Sequence, residues 1–205
     1  MPGDVLQDAY EQDLRHATAA AAPYLARASC KKGCAACCRQ HTGCTPLEAI
    51  LMARAIHLHP RAAELWHRVE AQAELVRAHP DCQARFNARV ACPLLEPDGT
   101  CAAYEARPTS CRQLAVHGDP AACAPPALQT LRMDLEVAGL FQLVRLQEFE
   151  RTAQARLQGG GAMALELTLA LDVLRRFPAA EEAWAAGGWP FEAAVWPCRC
   201  GSPCP

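Results

Sequence analysis

The spacing of apolar residues predicts α-helices along most of the chain. Apolar side chains recur every three or four residues, which places them on one face of a helix. The clearest start is Thr45-Pro46-Leu47-Glu48, which combines an N-cap, a proline at the first helical position and a capping box. The predicted helices cover residues 4–28, 46–59, 61–79, 82–90, 127–158, 162–176 and 179–186.

Residues 92–124 interrupt this pattern with repeated prolines and glycines, which predict turns. Within them, Asp98-Gly99 lies between two short apolar pieces and predicts a small hairpin, although not a larger sheet. Alanine and leucine, which favour helix, are abundant, whereas Ile50 and Ile56 are the only isoleucines. We therefore expect an all-α fold, an irregular helical bundle with cysteine-rich metal-binding loops.

The length and composition allow one domain with a buried core, because 51% of the 205 residues are hydrophobic. We expect a cysteine-cluster metal-binding domain over residues 1–158, with its core motif at 28–124. Residues 159–205 are expected to form a helical extension and a cysteine-rich tail packed on the same domain. The net charge of −2 gives no reason to expect nucleic acid or an anionic membrane as a partner.

The thirteen cysteines are a high number for this length and would suggest disulfides in a secreted protein. The first eight residues, however, have neither the basic region nor the apolar region of a signal peptide. The chain has no run of about 18 apolar residues, so we expect no membrane span. We therefore expect a cytoplasmic protein, in which clustered cysteines commonly serve metal binding or redox chemistry.

Four cysteines lie within nine residues, at Cys30, Cys34, Cys37 and Cys38. Thiolates are soft ligands that suit zinc, iron–sulfur clusters and cuprous copper. On a helix these four side chains would share one face, and in a loop Gly33 would give the backbone the freedom to bring them together. Disulfides or small buried thiols are the alternatives to metal binding.

A second set, Cys92, Cys101 and Cys111, has spacings of 9 and 10 residues and forms no local zinc knuckle. Its members are therefore expected to join the first cluster across the fold. His41 and His117 lie near the cysteine segments and could provide a ligand other than a thiolate.

These two sets together resemble a known family. The run C-x3-C-x2-C-C, followed some 50 residues later by C-P-x-L…D-G-x-C-x-x-Y-x-x-R-P-x-x-C-R, is similar to the YkgJ-type cysteine-cluster proteins over residues 28–124. That family is described as a zinc- or iron-chelating domain, and some members as iron–sulfur oxidoreductases. The resemblance implies a [4Fe–4S] cluster or zinc as cofactor. The metal ligands that it implies are Cys30, Cys34, Cys37, Cys38, Cys92, Cys101 and Cys111, with Cys123 as an eighth.

The resemblance also implies three cofactor-binding residues, Tyr104, Arg107 and Arg112. The arginines would donate hydrogen bonds to cluster sulfurs or offset their charge, and Tyr104 would pack over the site.

The function predicted from the sequence is metal binding with a redox or accessory role, in contact with an unknown protein or redox partner. The alternatives are an iron–sulfur-dependent enzyme with an unidentified substrate and a protein that binds or stores Cu(I). No catalytic residues can be assigned, because the chain has no phosphate loop, no dinucleotide fingerprint and no H-E-x-x-H motif. The remaining cysteines have no assigned role. Cys44 and Cys82 are expected to be small buried residues, and Cys198, Cys200 and Cys204 lie in the tail.

Overall fold

The structure, a computed structural model, describes residues 3–31, 33–79, 84, 87–119, 123, 132–151 and 165–195. The helical prediction is confirmed, because most of these residues are in α-helices and the strands are two residues long. The helices are α1 (Gly3–Leu25), α2 (Pro46–His57), α3 (Ala62–Ala78), α4 (Thr109–Gln113), α5 (Leu135–Arg151), α6 (Leu167–Arg176) and α7 (Ala180–Ala185). Among the helices described, none combines the length and the apolar character needed to cross a membrane.

Two pairs of short antiparallel strands tie distant segments together. Strand β1 (Gly43–Cys44) pairs with β4 (Leu165–Glu166), and β2 (Val116–His117) pairs with β3 (Arg132–Met133). Since each pair joins parts of the chain that are far apart in sequence, the pairs fix loops on the bundle and add little sheet of their own.

The helices form a bundle around one hydrophobic core. Helix α1 packs on α5, which also contacts the short α4, while α6 packs on both α2 and α3. The core includes the fully buried side chains of Ile56, Leu65, Phe141, Leu171 and Phe191. Burial of each such side chain contributes about 1.5–3 kcal/mol to the free energy of unfolding.

The predicted start of α2 is confirmed in detail. The Thr45 hydroxyl accepts a hydrogen bond from the Glu48 backbone N–H at 3.2 Å, and the Glu48 carboxylate accepts one from the Thr45 N–H at 2.9 Å. Pro46 occupies the first turn, where its missing N–H is not needed. The local chemistry of these few residues is sufficient to fix this helix end.

Two later predicted helices are wrong where the structure has strands. Within the predicted helix 127–158, Arg132–Met133 forms a strand, and helix α5 begins at Leu135 after the Asp134 carboxylate, which accepts from the Glu136 and Val137 N–H groups at 3.1 Å each. Within the predicted helix 162–176, Leu165–Glu166 pairs with β1, and helix α6 begins at Leu167. The predicted helical residues 82–83, 85–86, 127–131, 152–158 and 162–164 lie outside the described residues.

Candidate metal centre

The first cysteine segment is a loop and not an α-helix. It contains turns closed by Cys34 N–H to Lys31 O at 2.9 Å and Cys38 N–H to Ala35 O at 3.1 Å, and it ends in a single 3₁₀ turn at Cys37–Arg39. Gly33 has φ +91°, a left-handed conformation that glycine adopts without steric cost. The convergence of the thiols therefore depends on turns rather than on a helical face.

The predicted hairpin around Asp98-Gly99 is confirmed, and it contacts this loop. Leu95 and Cys101 form an antiparallel bridge, and the Glu96 N–H donates to Thr100 O at 2.8 Å. Gly99 has φ +82°, and a Cβ added there would lie only 2.5 Å from the backbone oxygen of Gly33. The two glycine turns therefore touch through their backbones, and this contact holds the hairpin against the first cysteine loop.

Two further backbone links bring the other cysteine segments to the same place. The Cys92 N–H donates to Cys38 O at 2.6 Å, which joins the start of the second set to the end of the first. At the other end of the loop, the Ser29 N–H donates to Val116 O at 2.8 Å, and the Cys30 thiol lies 3.4 Å from Leu114 O. The sequence places these groups more than fifty residues apart, so the links are products of the fold.

One group of thiols surrounds the beginning of the loop. Burial raises the pKa of Cys30, and the neighbouring thiols of Cys34 and Cys37 raise it further. Burial also raises the pKa of Cys123, followed by contributions from Cys30, Cys34 and Cys37. The charges of the first cluster therefore act on Cys123.

A second group of thiols consists of Cys92, Cys101 and Cys111. Burial raises the pKa of Cys92, with Cys101 and Cys111 as further causes. Burial raises the pKa of Cys111 to about 12, with Cys37 and Cys101 adding to the effect. The hydrogen bond with Cys38, and then burial, raise the pKa of Cys37 above its ordinary value. Cys37 therefore neighbours both groups and connects them.

The cysteines of both groups are free thiols, as are all nine that the structure describes. In the described part of the chain, no three His, Cys, Asp or Glu side chains stand in the geometry of a closed metal site. A thiol must lose its proton to bind a metal. A donor set made of sulfur alone fits zinc or iron, which are both bound by cysteine thiolates.

Arg107 supplies positive charge to these thiols. Its guanidinium carbon lies 3.4 Å from the centre of the Tyr104 ring, and its Nε donates to the Tyr104 carbonyl at 2.9 Å. Burial raises the pKa of both Cys101 and Cys111, and the Arg107 charge opposes that rise. Among the described residues Arg107 has no carboxylate partner, so the thiols are the acidic groups that it faces.

Arg112 acts on the turn that carries Arg107. Its Nε donates to the Arg107 carbonyl at 2.9 Å, and a terminal nitrogen donates to the Glu105 carbonyl. Burial lowers the pKa of Arg112, and the nearby Arg107 charge lowers it further. Neither guanidinium donates to a sulfur within the described residues, so Arg112 holds the 105–107 turn in place.

The other candidates from the sequence occupy different places. Cys44 is fully buried in β1, and burial raises its pKa, with Glu48 and Glu166 adding to the effect. His117 pairs with Asp134, Nε2 to Oδ2 at 2.9 Å, and His41 is partly buried just before β1. Cys82, Cys198, Cys200 and Cys204 lie outside the described residues.

The sequence analysis missed a buried polar junction next to the cysteines. Glu48, assigned only to a capping box, is 1% exposed and also accepts a hydrogen bond from the Tyr10 hydroxyl at 2.9 Å. The Thr45 hydroxyl donates to the buried carboxyl of Glu148 at 2.7 Å. Burial raises the pKa of Glu148, and the Glu48 charge raises it further. No sequence signal reveals such a junction, because its members are separated by up to 138 positions along the chain.

These features define a class, a helical metal-binding protein whose loops collect soft sulfur donors. Residues 29–125 match the family model CxxCxxCC, described as a "Putative zinc- or iron-chelating domain". The resemblance found in the sequence is thereby confirmed for these residues. Neither the curated proteins nor the solved structures contain a match to the chain.

Proposed function

We propose that the protein holds a zinc ion or a [4Fe–4S] cluster through thiolates of both cysteine segments, Cys30–Cys38 and Cys92–Cys123. The observation that carries this proposal is the backbone contact between the two segments: the Cys92 N–H donates to Cys38 O at 2.6 Å, and a Cβ added at Gly99 would lie 2.5 Å from the Gly33 oxygen. Four-coordinate thiolate binding is the ordinary arrangement for structural zinc and for cubane clusters.

The charges around the site support a metal–thiolate centre. Four thiolates around either metal group leave a net negative charge, which a neighbouring arginine stabilises. Arg107, held by Tyr104 and lacking a carboxylate partner among the described residues, is placed to do this. With protonated thiols the same guanidinium would face only neutral groups, which would leave its charge without a counter-charge in a half-buried position.

A redox role, with a protein as electron partner, is the extension that we propose for an iron–sulfur form. Cys30, Cys34, Cys37 and Cys38 are all only partly buried, and the adjoining Lys31, Gly33 and Arg39 are exposed. A centre near this rim would be close enough to the surface to exchange electrons. For a zinc form we propose a structural role, in which metal binding contributes folding free energy on the order of 10 kcal/mol.

We also propose a cytoplasmic location. The nine described cysteines are thiols and not disulfides, which agrees with a reducing compartment. Metal-bound thiolates would remain reduced there without further protection.

The test is metal analysis together with an absorption spectrum of protein purified without oxygen. Iron with acid-labile sulfide and broad visible absorption would identify the cluster, and stoichiometric zinc in a colourless protein would identify the structural form. Cys37→Ser is expected to lose most of the metal, whereas Cys204→Ser, outside the matched segment, should retain it. Full metal content in Cys37→Ser would refute the proposed site.

A further inference from the structure

The carboxylate of Glu48 joins three segments of the chain at one buried point. Its Oε1 accepts hydrogen bonds from the Tyr10 hydroxyl at 2.9 Å and from the Thr109 N–H at 2.7 Å. Its Oε2 accepts one from the Thr45 N–H at 2.9 Å. Hydrogen bonds to an ionised acceptor in a buried setting are roughly twice as strong as neutral ones. Glu48 therefore fixes the relative positions of α1, the start of α2 and the start of α4.

The start of α4 matters for the metal centre because that helix carries Cys111. Helix α4 has only five residues, far fewer than the number that sustains a helix in isolation. Its N-cap position is occupied by Pro108, which provides no side-chain cap. Glu48, 61 positions away in the sequence, accepts the N–H of the first helical residue, Thr109, and so takes over the function of the missing cap.

A second hydrogen bond reinforces the same placement. The Ser110 hydroxyl donates to the Gly43 carbonyl, so two consecutive residues of α4 are held by the segment that leads into α2. Helix α4 also packs on α5. The polar contacts of Thr109 and Ser110 therefore set the position and the orientation of Cys111 relative to the other cysteines.

We propose that Glu48 is a positioning residue of the metal centre, which sets the place of Cys111 through the N-terminus of α4. The inference rests on the proposed function, since it assumes that Cys111 is a ligand. Among the described residues no hydrogen bond joins Glu48 to a cysteine, and Glu48 acts on α4 through Thr109.

A carboxylate is the group that this junction requires. Glutamine has the same shape but presents an NH₂ group in place of one oxygen, so this NH₂ would oppose either the Thr45 N–H or the donors of Tyr10 and Thr109. Alanine would leave the buried donors of Tyr10 and Thr109 without a partner, at a cost of about 1–3 kcal/mol for each, and would also free the partly buried Thr45 N–H. Both substitutions should therefore release the start of α4.

The experiment compares metal-bound wild type with Glu48→Gln and with Ile56→Ala, measuring metal affinity by chelator competition and alkylation of each cysteine by mass spectrometry. Ile56 is a fully buried residue of the same helix, two turns further on, and serves as a control for general destabilisation. We expect Glu48→Gln to weaken metal affinity by about 10–100-fold, as loss of a supporting contact does in other metal sites. Cys111 should become reactive before Cys30 and Cys34, and Ile56→Ala should not show this selectivity.

A second variant keeps the test decisive if Glu48→Gln folds poorly. Thr109→Pro removes the N–H that Glu48 accepts, together with the threonine side chain, and proline is well tolerated at the first position of a helix. It should reproduce the selective exposure of Cys111. Protection of Cys111 in both variants, or equal exposure in Ile56→Ala, would overturn the positioning role. A wild type that holds no metal would instead refute the proposed function, so the two failures are distinguishable.

Discussion

Replacing Gly99 by alanine is expected to push apart the two turns that hold the cysteine segments together. The added Cβ would lie 2.5 Å from the backbone oxygen of Gly33, whereas ordinary contacts at such an atom begin at 3.4 Å. Because the opposing atom belongs to the backbone, no side-chain rotation can relieve the overlap. The hairpin carrying Cys101 must therefore move away from the loop that carries the first four cysteines.

The size of the effect has two parts. The left-handed conformation at φ +82° costs an alanine about 1–2 kcal/mol relative to glycine. The overlap adds about 1–3 kcal/mol, the usual cost of forcing extra volume into a packed site. The expected loss in the free energy of unfolding is thus about 2–5 kcal/mol in total.

Two matched controls separate these parts. Gly33→Ala carries similar backbone strain, at φ +91°, but its Cβ would come no closer than 3.9 Å to the Asp98 carbonyl oxygen. Gly187→Ala also has φ +91°, with no atom within 4 Å of its Cβ, and it follows α7, remote in sequence from the segments Cys30–Cys38 and Cys92–Cys123. Both controls should show only the conformational cost.

The assay is urea unfolding of the metal-bound proteins, combined with metal affinity measured by chelator competition. Gly99→Ala should be the least stable of the three variants and should bind metal more weakly than Gly187→Ala. The reasoning is refuted if Gly99→Ala loses no more stability than Gly33→Ala, since the overlap would then be absent. If stability falls as expected but metal affinity is unchanged, the contact between the turns is not part of the metal site.

Three further outcomes are expected. Arg107→Gln should weaken metal affinity by about tenfold in chelator competition. Arg15→Gln, in which the replaced side chain is 69% exposed, should not weaken it. Equal affinities in the two variants would refute the idea that Arg107 offsets the charge of the thiolates. Asp172→Asn should cost about 1–3 kcal/mol in urea unfolding at pH 7, because this buried carboxylate accepts from two arginines, whereas Glu74→Gln, 72% exposed, should cost little. Burial alone would raise the pKa of Asp172, but its arginine partners lower it below its usual value. The contribution of Asp172 to the free energy of unfolding is therefore complete above the unfolded pKa of about 3.9. It is lost as the pH falls through the lower pKa of the folded state. If the loss in free energy of unfolding caused by Asp172→Asn stays constant from pH 7 to below the folded pKa of Asp172, this pH dependence is contradicted. Metal affinity should rise with pH, because each thiol must ionise to bind the metal and burial raises the pKa of Cys111 to about 12. For four thiolate ligands the rise is up to about four powers of ten per pH unit. A metal affinity that does not depend on pH would exclude thiolate ligation.

The features that the sequence predicted correctly are those set by neighbouring residues. The capping box of Thr45 and Glu48 and the turn at Asp98-Gly99 each depend on a few consecutive side chains. The helical predictions at Arg132–Met133 and Leu165–Glu166 were wrong because apolar spacing continues through these residues, whose strand partners lie fifteen or more positions away in the sequence. Pairing across such distances leaves no periodic signal in the residues themselves.

In the candidate site, too, features of the residues themselves could be predicted from the sequence, whereas contacts between distant residues could not. The sequence indicates the donors through their chemistry, and the structure brings the thiol of Cys123 beside those of Cys30, Cys34 and Cys37. It could not indicate that Glu48 reaches Thr109, because a glutamate at the third position of a helix has a sufficient local explanation.

The candidate metal centre includes segments too short to hold their own shape. The turn at Cys37–Arg39 has three residues and α4 has five, so neither could persist without support from elsewhere in the chain. That support comes from long-range contacts between backbones and from the Glu48 junction, which includes Tyr10 on α1. Tyr10 lies outside residues 29–125, the segment that matches the family. The matched segment therefore carries the donors, whereas part of what places them belongs to the surrounding bundle, and the two must fold together for the thiols to meet.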